Sequence, residues 1–223
     1  MKQFERAAGH PLYLLEDAAY RELQFAGRAE PPLGPITPPT ALTLSDARDR
    51  VIYAGTYSKP FATGVRVGFG ILPEPLYTAV LRIKGNHDFG TANLLQHLLA
   101  RALATGLYDR HVAKVQKNYA RKARVMRQAM AEYFPANMEI WEAGGGLYFW
   151  ARLPEAISTG VNSKVFQNAL KNDVLYVPGE LCYADDPARA KPDHEMRLSF
   201  GSASEADMRK GIARLGAGLK KYV

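Results

Sequence analysis

Val51-Ile52-Tyr53-Ala54-Gly55-Thr56-Tyr57-Ser58-Lys59 is the stretch on which the fold turns. Its first five residues are β-branched, aromatic or small and read as a strand; residues 56–59 read as the turn that follows it. A lysine just past a strand is ordinarily a solvated side chain. Its setting gives it more interest, because open α/β sheets place their ligands beyond the carboxyl ends of strands. Two neighbouring stretches share that logic. Leu12-Tyr13-Leu14-Leu15 reads as a buried strand running into Glu16 and Asp17, with Tyr20 three residues on. Val65 to Leu72 reads as a third strand in which Arg66, Gly68 and Gly70 alternate with apolar residues. Taken singly, Asp17 reads as a cap for the next turn and Arg66 as the outward face of a strand.

Working outward, Gln3 to Ala8 reads as a helix end closed by Gly9-His10-Pro11, because proline cannot continue a helix and glycine accepts the left-handed closing position. Gly27 to Thr40 is a polar, proline-rich loop. Glu74 to Lys84 and Thr91 to Ala104 read as helices, the second with Leu94, Leu95, Leu98, Leu99 and Leu103 on one face. From Asp109 to Phe134 apolar residues recur at three- and four-residue steps, which predicts one long amphipathic helix. Beyond it the pattern changes. Met138 to Trp141, Leu147 to Leu153, Val174 to Val177 and Glu195 to Phe200 read as strands, with a hairpin turn at Gly144-Gly145-Gly146 and a helix from Ser163 to Lys171. Ser204, with Asp207 three residues on, opens a last helix as a capping box. The second half therefore reads as a compact α+β unit, and the long helix as its connector.

Apolar residues make up 47% of the 223-residue chain and charged residues 23%, the balance of a globular protein. The formal charge is +7, and its densest part is Lys114 to Lys117 and Arg121 to Arg124. That run reads as the solvated face of the long helix, since no nucleic-acid motif accompanies it. Cys182 is the single cysteine, which excludes an internal disulfide and suits a reducing compartment. Between Leu181 and Tyr183 it reads as a small packed thiol. No apolar run is long enough to span a membrane, and the first residues lack the apolar core of a signal peptide, so the expectation is a cytoplasmic protein. The five histidines show no metal-ligand spacing, and no metal is expected.

The separate pieces acquire meaning in order. Asp17-Ala18-Ala19-Tyr20, Thr56-Tyr57-Ser58-Lys59, Gly64-Val65-Arg66-Val67-Gly68, Arg110-His111, Gly145-Gly146-Leu147-Tyr148-Phe149-Trp150, Val177-Pro178-Gly179 and Met196-Arg197-Leu198-Ser199-Phe200 follow one another across the chain. Together they resemble the fold-type I pyridoxal-phosphate aminotransferases of classes I and II. The likeness is greatest to those acting on 2-aminoadipate, kynurenine and aromatic or branched amino acids. The resemblance implies an α/β fold, with residues 1–108 as the C-terminal part of the cofactor-binding large domain, mostly parallel in its sheet, and residues 109–223 as a small α+β domain.

It also implies roles. Asp17 would face the nitrogen of the cofactor ring and Tyr20 its 3-oxygen, while Lys59 would carry pyridoxal 5'-phosphate and shuttle a proton. Thr56, Ser58 and Arg66 would hold the phosphate. Arg197 would grip the substrate's α-carboxylate, its alternative reading being an ordinary surface ion pair. A closing motion between the two domains would join that grip to Lys59. The function implied is amino transfer between an amino acid and a 2-oxo acid, in amino-acid biosynthesis, by a homodimer in its full-length form, with no nucleic acid and no membrane as partner.

The resemblance covers roughly the C-terminal half of such enzymes. Its upstream strands, its Gly/Ser-rich phosphate turn and the ring-stacking aromatic lie outside this sequence, so the chain is expected to be N-terminally truncated. Two other readings remain open: the aminotransferase-like effector domain of a transcription regulator, and an inactive fragment.

Overall fold

The structure is a computed structural model and describes residues 1–25, 40–44, 48–141 and 144–222. Most of the loop expected between Gly27 and Thr40 lies outside these residues. The fold class is α/β, and the chain divides into two compact units. The first holds residues 1–24 and the described residues from Thr40 to Gln116; the second holds Phe25 and residues 117–222.

The first unit opens with helix α1 (Lys2–Ala8), stopped by Gly9 in the left-handed conformation at φ 70°. Strand β1 (Leu14–Asp17) runs parallel to β2 (Val51–Thr56), with Asp17 opposite Ala54. Strand β3 (Gly68–Ile71) returns antiparallel, with Thr56 opposite Gly68. The sheet order is β1-β2-β3. Gly55 on β2 lies under the Phe69 ring, where a Cβ would sit 2.5 Å from a ring carbon, so a larger residue would have to displace that ring. Helices α2 (Leu76–Asp88) and α3 (Asn93–Ala104) follow. α2 buries none of its residues, and α3 buries Leu99 and Ala102.

Three expectations are corrected in this unit. The strand expected to be buried is open: Leu14 and Leu15 are 42% and 62% exposed. An apolar run shows that side chains favour burial, not that nearby chain supplies it. The third strand is short, because residues 63–65 form a 3-10 turn and Arg66 turns left-handed before β3 begins. On α3 the leucine face is divided: Leu99 is buried, whereas Leu94, Leu98 and Leu103 are exposed.

Helix α4 (Leu107–Tyr133) is the long amphipathic helix predicted from its spacing; its residues from Lys117 onward belong to the second unit. That unit has a four-stranded sheet in the order β4-β5-β7-β6, formed by β4 (Glu139–Trp141), β5 (Tyr148–Arg152), β6 (Val177–Pro178) and β7 (Glu195–Ser199). All neighbours are antiparallel. β4 and β5 pair as expected of a hairpin, while β6 is shorter than the stretch read as strand. Helices α5 (Lys164–Lys171) and α6 (Glu205–Leu219) start at Ser163 and Ser204, whose side chains accept from the Phe166 and Asp207 backbone N–H groups.

One face of this sheet supplies the core. Phe149, Ala151, Met196 and Leu198 alternate inward and meet Met126 and Met130 of α4, Val165 and Phe166 of α5, and Ile212 and Leu215 of α6. Phe200 is fully buried and packs edge-on against Phe25, Tyr119 and Phe149. The thiol expected to be packed is exposed: Cys182 ends a surface 3-10 turn, where Leu181 is exposed as well.

Candidate active site

In the first unit the residues singled out from sequence meet at one end of the sheet. Parallel pairing brings the ends of β1 and β2 level, and antiparallel return brings the start of β3 beside them. Asp17 is thus the last residue of β1, Thr56 the last of β2, and Arg66 lies two residues before β3. Asp17 Oδ1 accepts the Ala19 N–H at 3.0 Å, which closes the turn leading to Tyr20. The Lys59 ammonium lies 5.6 Å from the centre of the Tyr20 ring, within cation–π range.

The turn carrying Lys59 is fixed by its neighbours. Thr56 Oγ1 donates to the Val67 carbonyl at 3.3 Å and accepts the Ser58 N–H at 3.1 Å. The Phe61 and Ala62 N–H groups both donate to the Tyr57 carbonyl at 3.1 Å, and Pro60 is fully buried. Tyr57 and Phe61 pack on Tyr108, with ring centres 5.6 Å away in each case. The Tyr108 hydroxyl donates to Glu22, and Gln116 Nε2 donates to the Glu22 carbonyl at 2.7 Å. Burial pushes the Tyr108 hydroxyl far up from its ordinary pKa, and the Glu22 carboxylate adds to the shift, so it stays a donor. Lys59 is therefore exposed on a turn whose inner side is held by an aromatic cluster.

Arg66 adopts φ 52°, a conformation uncommon for residues with a Cβ. The alternation that suggested a strand is real in its burial, Val65 and Val67 both being buried, yet the backbone between them is not extended. Among the described residues, Ser58 Oγ, Lys59 Nζ and the Arg66 guanidinium have no hydrogen-bonding or ion-pair partner. The Thr56 hydroxyl proton, in contrast, is directed to a backbone carbonyl. Two cations and a hydroxyl within nine residues form a donor set suited to an anion, beside the Asp17 carboxylate. Asp17, Lys59 and Arg66 are all exposed, so the set lies open. A cavity of about 130 Å³ nearby, lined by Arg21, Glu22, Tyr53, Tyr57 and Phe69 among others, is below the size usual for a small-molecule pocket.

Arg197 belongs to the second unit, on β7. It stands opposite Trp150 of β5 and Val177 of β6. Its guanidinium lies 4.4 Å from the centre of the Tyr148 ring, and its Nε is buried without a hydrogen-bond partner. A buried donor left without an acceptor is costly. The surface ion pair that was its alternative reading is absent among the described residues. On the same sheet face lies a group that sequence reasoning missed. Glu195, 1% exposed, accepts Arg152 Nε at 2.9 Å and the Tyr183 hydroxyl at 2.5 Å. Period-two alternation from Arg197 could have put Glu195 on this face, but not its burial or its partners.

The described residues contain no cluster of ligating side chains that would hold a metal, and no helix long and apolar enough to cross a membrane.

The two groups of residues lie each within its own unit, and the order of the whole α/β chain points to a class. Residues 2–215 match the family model of aminotransferases of class I and II, and the chain belongs to that family. It is 32% identical to aromatic-amino-acid aminotransferase 1 of Thermococcus litoralis, over 97% of this chain and 48% of the relative. Its fold is similar to that of the α-aminoadipate aminotransferase of Thermus thermophilus, solved in complex with N-(5'-phosphopyridoxyl)-L-leucine. There the TM-score is 0.80 at 28% identity, covering 98% of this chain and 52% of the other. It is also 30% identical to the HTH-type transcriptional regulator TauR of Rhodobacter capsulatus, over 93% of this chain and 40% of the regulator. The chain spans about half the length of the aminotransferases it matches.

Proposed function

We propose that this chain contributes to pyridoxal-phosphate-dependent transamination between an amino acid and a 2-oxo acid. The observation that carries the reading is the donor set Ser58, Lys59 and Arg66 beside the Asp17 carboxylate at the end of the first sheet, the three donors having no hydrogen-bonding or ion-pair partner among the described residues. It fits a group that is a phosphate at one end and a basic ring nitrogen at the other. Ser58 and Arg66 would take the phosphate, Asp17 would keep the ring nitrogen protonated, and Tyr20 would lie along the ring's oxygen. Thr56 would serve this site by holding the Ser58 N–H and Val67 carbonyl in place.

When bound, the cofactor supplies an electron sink that lets the substrate's α-hydrogen leave as a proton. The chain's own part is to hold and move that proton. Lys59 Nζ would anchor the cofactor, be displaced by the substrate's amine, then accept the proton from the α-carbon and deliver it to the cofactor's carbon. Arg197, with its partnerless Nε and its face on Tyr148, would fix the substrate's carboxylate by paired, charge-assisted hydrogen bonds. The reading extends to amino-acid biosynthesis, in the cytoplasm, by a homodimer whose full chain supplies further walls to the open site. A runner-up reading is an aminotransferase-like effector domain, which the likeness to TauR favours.

Titrating the 223-residue chain with pyridoxal phosphate and recording visible absorbance tests the enzyme reading at Lys59. Wild type should develop a protein-dependent band that sodium borohydride fixes to one peptide containing Lys59, and Lys59→Ala should lack both. A band and a labelled peptide that survive in Lys59→Ala would sink it.

A further inference from the structure

Residues 195, 197 and 199 of β7 point to one face of the second sheet. A carboxylate and a guanidinium therefore stand side by side on one strand, their Cα atoms roughly 7 Å apart by strand geometry. That separation lies within reach of two long side chains. A bidentate pair between Glu195 and Arg197 would occupy one edge of the guanidinium fork and neutralise the charge that Arg197 offers to a substrate carboxylate.

The structure shows a different pairing. Arg152, directly opposite Glu195 on β5, donates from Nε to Oε1 at 2.9 Å. Tyr183 donates to Oε2 at 2.5 Å, and its ring packs edge-on against Trp150. Arg152 is itself held from outside, by Glu139 at 3.3 Å and by stacking 4.7 Å from the centre of the Trp141 ring. On the other side of Glu195, the backbone at Gly179 comes so close that a Cβ there would lie 2.6 Å from that of Glu195. The carboxylate is thus confined with both oxygens taken, while Arg197 lies over Tyr148 with no ion pair among the described residues.

We propose that Arg152 is a positioning residue that, together with Tyr183, diverts Glu195 from Arg197 and so keeps the Arg197 guanidinium available to a carboxylate ligand. The inference rests on the reading of Arg197 given above for the identity of the ligand, but not for the diversion itself. Two groups of opposite charge two residues apart are kept separate by a third, and removing the third should let them meet. A loss caused at Arg152 should then disappear when Glu195 is neutralised too, which a merely structural role would not produce.

The test uses the 223-residue chain labelled with 15N-arginine. The Arg197 Nε–Hε resonance is assigned by its loss in Arg197→Lys, and spectra are taken without ligand and during titration with 2-oxoglutarate. In Arg152→Gln the ligand-free Arg197 signal should move as Glu195 turns to it, and 2-oxoglutarate affinity should fall about tenfold or more. In the double variant Arg152→Gln/Glu195→Gln both signal and affinity should return close to wild type. If Arg152→Gln does not fold, Arg152→Lys takes its place, with a smaller displacement that Glu195→Gln must likewise reverse. An unmoved ligand-free signal, or a displacement that persists in the double variant, overturns the proposal. Wild type that shows the ligand-free pattern but no response to 2-oxoglutarate would instead count against Arg197 as the carboxylate grip.

Discussion

The two units differ in how far each completes its own interior. In the second, twenty buried apolar residues among those described, from one sheet, three helices and the segments flanking them, form a single cluster. In the first, the corresponding cluster has four members among the described residues, Val65, Val67, Leu99 and Tyr108. Large apolar side chains are open there instead: Leu14 and Leu15 on β1, Phe69 and Ile71 on β3, and Val80, Leu81 and Ile83 on α2. Among the described residues, β1 and β3 each pair only with β2, which leaves their outer edges without a ladder. Exposed apolar surface on this scale, next to open strand edges, is costly in water. The lesson concerns function as much as stability. The unit with Lys59 offers well-directed chemical groups on an open surface, while the unit with Arg197 offers one group on a finished scaffold.

The contrast is open to direct attack. The largest effect is expected in native-state hydrogen exchange, where amides of β5 and β7 should be protected at least about a thousandfold more than those of α2 and the outer edge of β1. Equal protection in both units would end the comparison. Next in size, Phe200→Ala should cost about 3–5 kcal/mol in the unfolding of the second unit, because it removes a fully buried ring that packs on three others. Ile83→Ala, at a residue 68% exposed, should change stability by less than about 0.5 kcal/mol. Chemical denaturation of each variant measures both. Between these two, Ser204→Ala should cost about 1 kcal/mol by leaving the Asp207 N–H uncapped.

The smallest expected effect is a pH dependence. Burial pushes the Glu195 carboxyl up, but the hydrogen bonds from Tyr183 and Arg152 and the Arg152 charge outweigh it and hold the group below the usual glutamate value. A carboxyl with a lowered pKa in the fold stabilises fully above the unfolded value, about 4.3. That stabilisation fades as pH falls through the lower folded value, because the unfolded chain takes up the proton first. Melting of the second unit between pH 6 and pH 3 should fall more steeply in wild type than in Glu195→Gln. Parallel curves would show that the network contributes nothing through this charge.

Much of the second unit was legible because its signals are local and agree. The three- and four-residue steps of α4, the alternation of β5 and the capping serines each point to the element that forms. The first unit was less so. Leu12 to Leu15 reads as buried from its composition, yet burial depends on what lies across from it, which no local pattern supplies. Val65 and Val67 are buried as alternation suggests, but a 3-10 turn with Arg66 left-handed buries them as well as a strand does. At the site, the order of Asp17, Tyr20, Lys59 and Arg66 carried the resemblance, and the sheet brings Asp17, Lys59 and Arg66 to one end. The supports did not show in sequence: Tyr108 reaches Glu22 across 86 residues, and Arg152 reaches Glu195 across 43. Cys182 was misread because apolar neighbours in sequence are not neighbours in packing.

That exposed thiol has a practical use. It is the chain's single cysteine and adjoins Tyr183, one of the two side chains that donate to Glu195. A small fluorophore attached there would report from one known position in the second unit, with no background label elsewhere. Its emission would follow local rearrangement around Tyr183 in real time, without any need for turnover.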